Sequence, residues 1–109
     1  MYTVDLHPKT ATVSFAIETM KQNLKLCRQT KEKVVCFIVG YGSTGGTHKI
    51  KTAILEELEK LMQAHQIKGF ILGSEIDIFN PKFQNLKGKE YLDKECQKRQ
   101  NPGEVIVTL

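Results

Sequence analysis

One stretch limits what this chain can fold into more than any other. Val34 to Val39 (VVCFIV) is an uninterrupted apolar run, and Gly40 to Gly46 (GYGSTGG) follows it with four glycines in seven residues. The run is rich in β-branched side chains, and its lack of alternation suits a central strand covered on both faces. It is far shorter than the roughly 20 residues that a membrane-spanning helix needs. The glycine segment is expected to be a loop, because glycine weakens helix and strand interiors by about 0.5–1 kcal/mol per residue.

The flanks supply the partners of that strand. Tyr2 to Leu6 reads as a short strand that Pro8 ends. Thr10 offers a helix N-cap. From there Val13, Ile17, Met20, Leu24 and Cys27 step by four and three along one helix face, as far as about Arg28. A second helix is expected from near Thr47, with Ile50, Ile54, Leu58, Leu61 and Met62 on one face and a soft end at Ala64 to Gln66. His65 reads as a helix-end residue. Gly69 to Gly73 is a third short strand. Glu75 to Arg99 is polar and lysine-rich, partly helical from Pro81, and anchored by Phe79, Phe83, Leu86, Tyr91 and Leu92. Asn101-Pro102-Gly103 signals a tight turn, and Glu104 to Leu109 closes the chain as a strand. The expected fold class is α/β: a two-layer sandwich in β-α-β-α-β-β order, with a mixed four-stranded sheet and both long helices on one face. Residues 1–109 read as one domain, since this length supports one core.

Composition narrows the class further. The chain is 40% hydrophobic and 26% charged, too apolar for a disordered segment and too polar for a membrane protein. No membrane partner is expected, no basic apolar leader opens the chain, and a cytoplasmic location is expected. Cys27, Cys36 and Cys96 are an odd, widely spaced set without a CxxC pattern, a poor disulfide framework or zinc site, and Cys27 and Cys36, at positions apolar by pattern, are expected to be buried reduced thiols. Sixteen Lys/Arg against twelve Asp/Glu gives a net charge of +4. The basic residues concentrate in 1–33 and again at Lys82, Lys87, Lys89, Lys94, Lys98 and Arg99, whereas acids gather at Glu56, Glu57 and Glu59. Such a balance permits nucleic-acid contact without requiring it.

Parallel strands end along a common sheet edge, where open α/β sheets hold ligands. The first strand ends in Asp5-Leu6-His7, so Asp5 and His7 share one side while Leu6 turns to the core. The second strand ends in the glycine loop, followed by the start of the second helix. Gly40, Gly42, Gly45, Gly46 and Thr47 would bring backbone and hydroxyl donors to an anion there, with His48, Lys49 and Lys51 adding charge. Asp5, His7, the glycine loop and His48 are therefore expected around one pocket. Gly40, Gly42 and Gly45 also fit GxGxxG, the dinucleotide fingerprint. That fingerprint wants an acidic residue about 20 positions on at the end of the next strand; here the next strand comes later, and Glu75 lies 35 residues after Gly40.

Four segments together resemble a known family. Asp5-Leu6-His7 resembles the LDLHG motif of the Small MutS-Related (Smr) domain. Gly40 to Gly46 resembles the glycine-rich HGYGSSGKGG version of its second motif, and the likeness continues through Ile50-Lys51 and Ala53-Ile54. Ile71-Leu72-Gly73 with Ile78-Phe79-Asn80, and Arg99 to Gly103 before the last strand, resemble the tail of small stand-alone bacterial members, where GRGNPG precedes that strand. The resemblance spans essentially the whole chain. It implies a small α/β sandwich, nucleic-acid binding and, in several members, endonuclease activity on DNA or RNA. Two positions depart from the pattern: Pro8 replaces the glycine after His7, and Val39 replaces the histidine before Gly40.

The expected function is thus that of an Smr-type nucleic-acid-binding protein, a candidate endonuclease on DNA or RNA; no cofactor is assigned, and magnesium or manganese is the candidate metal were it to cut. Asp5, His7 and His48 would be catalytic. Gly40, Gly42, Gly45, Gly46, Thr47, Lys49, Lys51, Arg99 and Asn101 would bind the nucleic acid. The alternative is an adaptor module that binds without cutting, because Val39 leaves one acid–base role vacant. As the last residue before the loop, Val39 is expected to reach the pocket edge without filling the core.

Overall fold

This computed structural model describes residues 2–6, 12–40 and 45–109, residues 45–48 by their backbone. Strand β1 (Tyr2–Asp5) leads into helix α1 (Val13–Gln29), strand β2 (Val34–Ile38) and helix α2 (Gly45–Gln63). Strand β3 (Gly69–Leu72), the short helices α3 (Pro81–Gln84) and α4 (Lys94–Arg99), and strand β4 (Glu104–Thr108) complete the order. The strands form one sheet in the order β1-β2-β4-β3. β1 runs parallel to β2, while β4 is antiparallel to both β2 and β3. The chain is thus the expected α/β sandwich with a mixed four-stranded sheet.

Strand alternation divides the core in two. Val35, Phe37, Val39, Val105 and Val107 face the long helices and pack with Ala16, Met20 and Leu24 of α1 and Ile50, Ile54 and Leu58 of α2. Val34, Cys36, Ile71 and Ile106 face the other way and are covered by Ile76, Leu86, Leu92 and Cys96. The segment between β3 and β4 therefore roofs the second face of the central strands, which explains why β2 is apolar throughout. Phe83, Leu86 and Leu92 anchor that segment, but Phe79 and Tyr91 do not, being 82% and 51% exposed.

Both long helices begin differently from expectation. The α1 cap is Thr12, whose Oγ1 accepts from the Phe15 amide at 3.1 Å; Thr10 lies outside the described residues. An N-cap hydroxyl reaches the free amides two or three residues ahead of it, and Thr12 stands three before Phe15. Helix α2 starts at Gly45, so the last two glycines of the presumed loop are helical. The penalty for glycine in a helix, about 1 kcal/mol, is outweighed here by the buried stripe Ile50, Ile54 and Leu58 behind it.

The helix ends share one device. Lys31 (φ 60°) and His65 (φ 58°) are left-handed, and the amides after them, Glu32 and Gln66, reach back to Cys27 and Leu61 carbonyls at 2.9 Å each. That is the Schellman termination, which glycine satisfies without the Cβ penalty. Lys31 is exposed, so Lys31→Gly is expected to stabilise the chain by about 0.5–1 kcal/mol and raise Tm by about 2–6 °C. Thermal unfolding followed by circular dichroism checks it; an unchanged or lower Tm contradicts this account of the helix end.

Candidate functional site

β1, β2 and β3 run the same way, so Asp5, Ile38 and Leu72 end at one sheet edge, and β4 begins there with Glu104. Asp5, Ile38 and Glu104 form one cross-strand row. The Leu6 amide continues the β1–β2 pairing to the Ile38 carbonyl at 2.9 Å, and its side chain is fully buried, as expected. Asp5 is exposed on the opposite face from Leu6, hence on the face away from α1 and α2. His7 and Gly42 lie outside the described residues, as do the side chains of Thr47 and His48.

The turn before β4 organises this edge. The Gly103 carbonyl accepts from both the Val39 and Gly40 amides, at 2.8 and 3.2 Å. Gly40 adopts φ 80°, a left-handed conformation that turns the chain out of β2 at no side-chain cost. Asn101 Oδ1 accepts from the Gly103 amide at 2.8 Å. Lys51 Nζ reaches from α2 to the Pro102 carbonyl at 3.0 Å, which ties the helix layer to the turn. On the other side, a Cβ on Gly73 would overlap the Asn101 carbonyl oxygen, and Gln100 Nε2 donates to the Ile76 carbonyl at 2.8 Å. The start of α2, the end of β2, the 99–103 turn and the segment after β3 are thereby joined. Of the expected binding residues, Gly40, Lys51, Arg99 and Asn101 meet here, and Lys49 is exposed one helical half-turn away.

Arg99 is engaged inward. Its Nε and Nη2 donate to Glu104 Oε1 and Oε2 at 2.8 and 3.0 Å, a bidentate clamp from α4 to the first residue of β4. Cys36 Sγ donates to the same Oε2 at 3.1 Å. Burial alone would raise the Glu104 carboxyl. Hydrogen bonds from Arg99, Cys36 and Asn101, with the guanidinium charge, outweigh it and hold the group below the usual carboxylate range. Burial, then Glu104, pushes the Cys36 thiol up; burial, then Asp93, pushes Cys96 up to about 11. All three cysteines are buried free thiols, as expected of Cys27 and Cys36. Cys36 and Cys96 stay protonated at neutral pH and are poor nucleophiles.

Val39 departs from expectation. It is fully buried in the cluster facing the long helices, together with Leu6 and Ile50. A histidine at this position would enter the core instead of the pocket edge. Among the described residues no group of three or more His, Cys, Asp or Glu side chains could hold a metal ion, so they supply no metal cradle.

A groove of about 770 Å³ runs along the free edge of β3, lined by Met62, Phe70 and Leu86 between Lys68 and Lys82. None of the expected site residues lines it. The Arg99–Glu104–Cys36 clamp was hidden from sequence reading because its partners lie 5 and 68 residues apart, beyond any helix or strand period. No helix of the described residues is long and apolar enough to cross a membrane. No protein-family model matches the chain, and neither a curated protein nor a solved structure matches it.

Proposed function

We propose that this chain binds nucleic acid at the edge where β1, β2 and β3 end, in the manner expected of an Smr-type domain. One observation carries the reading: Lys51 of α2 meets the Arg99–Gly103 turn beside the end of β2, through its bond to Pro102. Its carbonyl partner bears no formal charge, so the Lys51 ammonium remains a cation for a phosphate, and exposed Lys49, a half-turn away on α2, adds charge on the other flank of the helix. The chain's +4 charge is in keeping with that partner. Arg99 is paired with Glu104 and enters this reading as a strut of the turn.

Cleavage is the second reading, favoured by Asp5 at the same edge. It requires a base for the nucleophile and an acid for the leaving oxygen. With Val39 inside the core, those roles fall to His7 and His48, with Asp5 orienting an imidazole. Incubating labelled RNA and DNA with wild type and His7→Ala, with and without magnesium or manganese, separates the readings. Cleavage reduced about 10²–10⁴-fold by His7→Ala supports the enzyme. Retarded but uncut substrate under every condition supports the adaptor.

A further inference from the structure

The loop after β3 displays two side chains that folded proteins ordinarily cover. Ile78 is 69% exposed and Phe79 is 82% exposed. The backbone beneath them is fixed. Asp77 Oδ1 accepts from the Phe79 amide at 2.8 Å, the Asn80 amide donates to the Asp77 carbonyl at 2.9 Å, and Gln84 Nε2 donates to the Ile78 carbonyl at 2.7 Å. The same segment is held to the 99–103 turn by Gln100 at Ile76 and by the close packing of Gly73 on Asn101. The exposed pair therefore belongs to the sheet edge already described, and its ordering cost is met on folding.

We propose that Phe79, with Ile78 beside it, is a stacking platform for an unpaired nucleobase, so that this edge takes single-stranded nucleic acid in preference to a continuous duplex. The inference rests on the nucleic-acid reading above. Area favours a base over a protein surface. An aromatic side chain offers about 150–250 Å², whereas a stable protein interface needs roughly 800 Å² per partner. Around the pair stand Asn80, Lys82 and Gln84, all polar. Charge agrees as well: Lys82, 71% exposed, lies three residues from Phe79, and residues 82–99 carry six Lys/Arg against three acids. Its contact with Glu75 is a surface pair, which exchanges readily for a phosphate. Aromatic rings interleaved with cations bind single strands, because every base presents a π-face once unstacked. Inside a duplex those faces are already covered.

The chain contains no tryptophan, so Phe79→Trp places a lone fluorescent indole on the platform. The probes are a short oligo(U), an oligo(dT) and a blunt duplex, the first two separating RNA from DNA. A single strand is expected to quench the indole, and the duplex to leave it unchanged. Phe79→Ala should weaken single-strand binding by about 5- to 150-fold while leaving the circular dichroism spectrum and duplex binding unaltered. Full single-strand affinity in Phe79→Ala, together with an unquenched indole, overturns the platform alone if Lys51→Ala still weakens binding. Self-association abolished by Phe79→Ala would overturn it too, assigning the patch to a second copy. Absence of binding to all three probes removes the platform and the parent reading together.

Discussion

Val39→His is expected to cost about 2–6 kcal/mol of stability and to create no cleavage. Val39 is fully buried, opposite the apolar faces of α1 and α2, so the imidazole would replace a methyl-lined contact with a larger ring and unpartnered nitrogens. An uncompensated buried polar group costs about 1–3 kcal/mol in proteins, and overpacking about 1–3 kcal/mol more. For a chain of this length that lowers Tm by about 10 °C or more. The loss should deepen below neutral pH. Burial depresses the pKa of a histidine, so the unfolded chain binds more protons and stability falls as pH falls. Thermal unfolding at several pH values checks this. A variant as stable as wild type that gains cleavage would mean that the side chain leaves the core.

Arg99→Ala carries the second large effect. It strips the bidentate partner from a carboxylate whose side chain is only 8% exposed, leaving the Cys36 thiol and Asn101 to satisfy it. The expected loss is about 2–3 kcal/mol at neutral pH, since removing the guanidinium strands the buried carboxylate. Glu104→Gln should cost less, about 1 kcal/mol, because the guanidinium it leaves behind can reach water. In wild type the lowered Glu104 pKa contributes stability that is present above the ordinary glutamate value of about 4.3 and lost as pH falls through the lowered one. Without Arg99, burial raises that pKa. The deficit of Arg99→Ala relative to wild type should therefore be full near neutrality and shrink as acid protonates Glu104 in both proteins. Denaturant unfolding from neutral to acid pH measures it, and a deficit independent of pH would contradict the ion-pair account.

The parts of the fold that were legible in sequence are those with a period. Ile50, Ile54 and Leu58 announce the buried face of α2, and Met20, Leu24 and Cys27 that of α1. The all-apolar run of β2 announces a strand covered on both sides, but for the same reason it conceals which side chain faces which layer. With no polar residue to mark the alternation, Val39 could not be placed. The second roof was legible only in part: Leu86 and Leu92 stand out as anchors of a polar segment, whereas Ile76 and Cys96 share no continuous period with them that would assign all four to one face. Phe79 shows the opposite limit, since hydrophobicity points inward and the hydrogen-bonded loop turns it out. At the candidate edge, parallel topology rightly predicts that the ends of β1 and β2 converge. The inward engagement of Arg99 depends on Glu104 and the distant Cys36, which no local pattern links.

The salt dependence of single-strand binding, read by fluorescence anisotropy in wild type and in the Lys49→Ala, Lys51→Ala double variant, tests the proposed interface most directly. Contacts by Lys49, Lys51 and some of the lysines between 82 and 98 predict a slope of about −3 to −4 in log affinity against log salt, at roughly −0.7 per phosphate. The double variant should bind more weakly at low salt, with a slope shallower by about 1.4. Binding that is absent at low salt, insensitive to salt, or unchanged in slope when both lysines are removed would contradict nucleic-acid recognition at this edge.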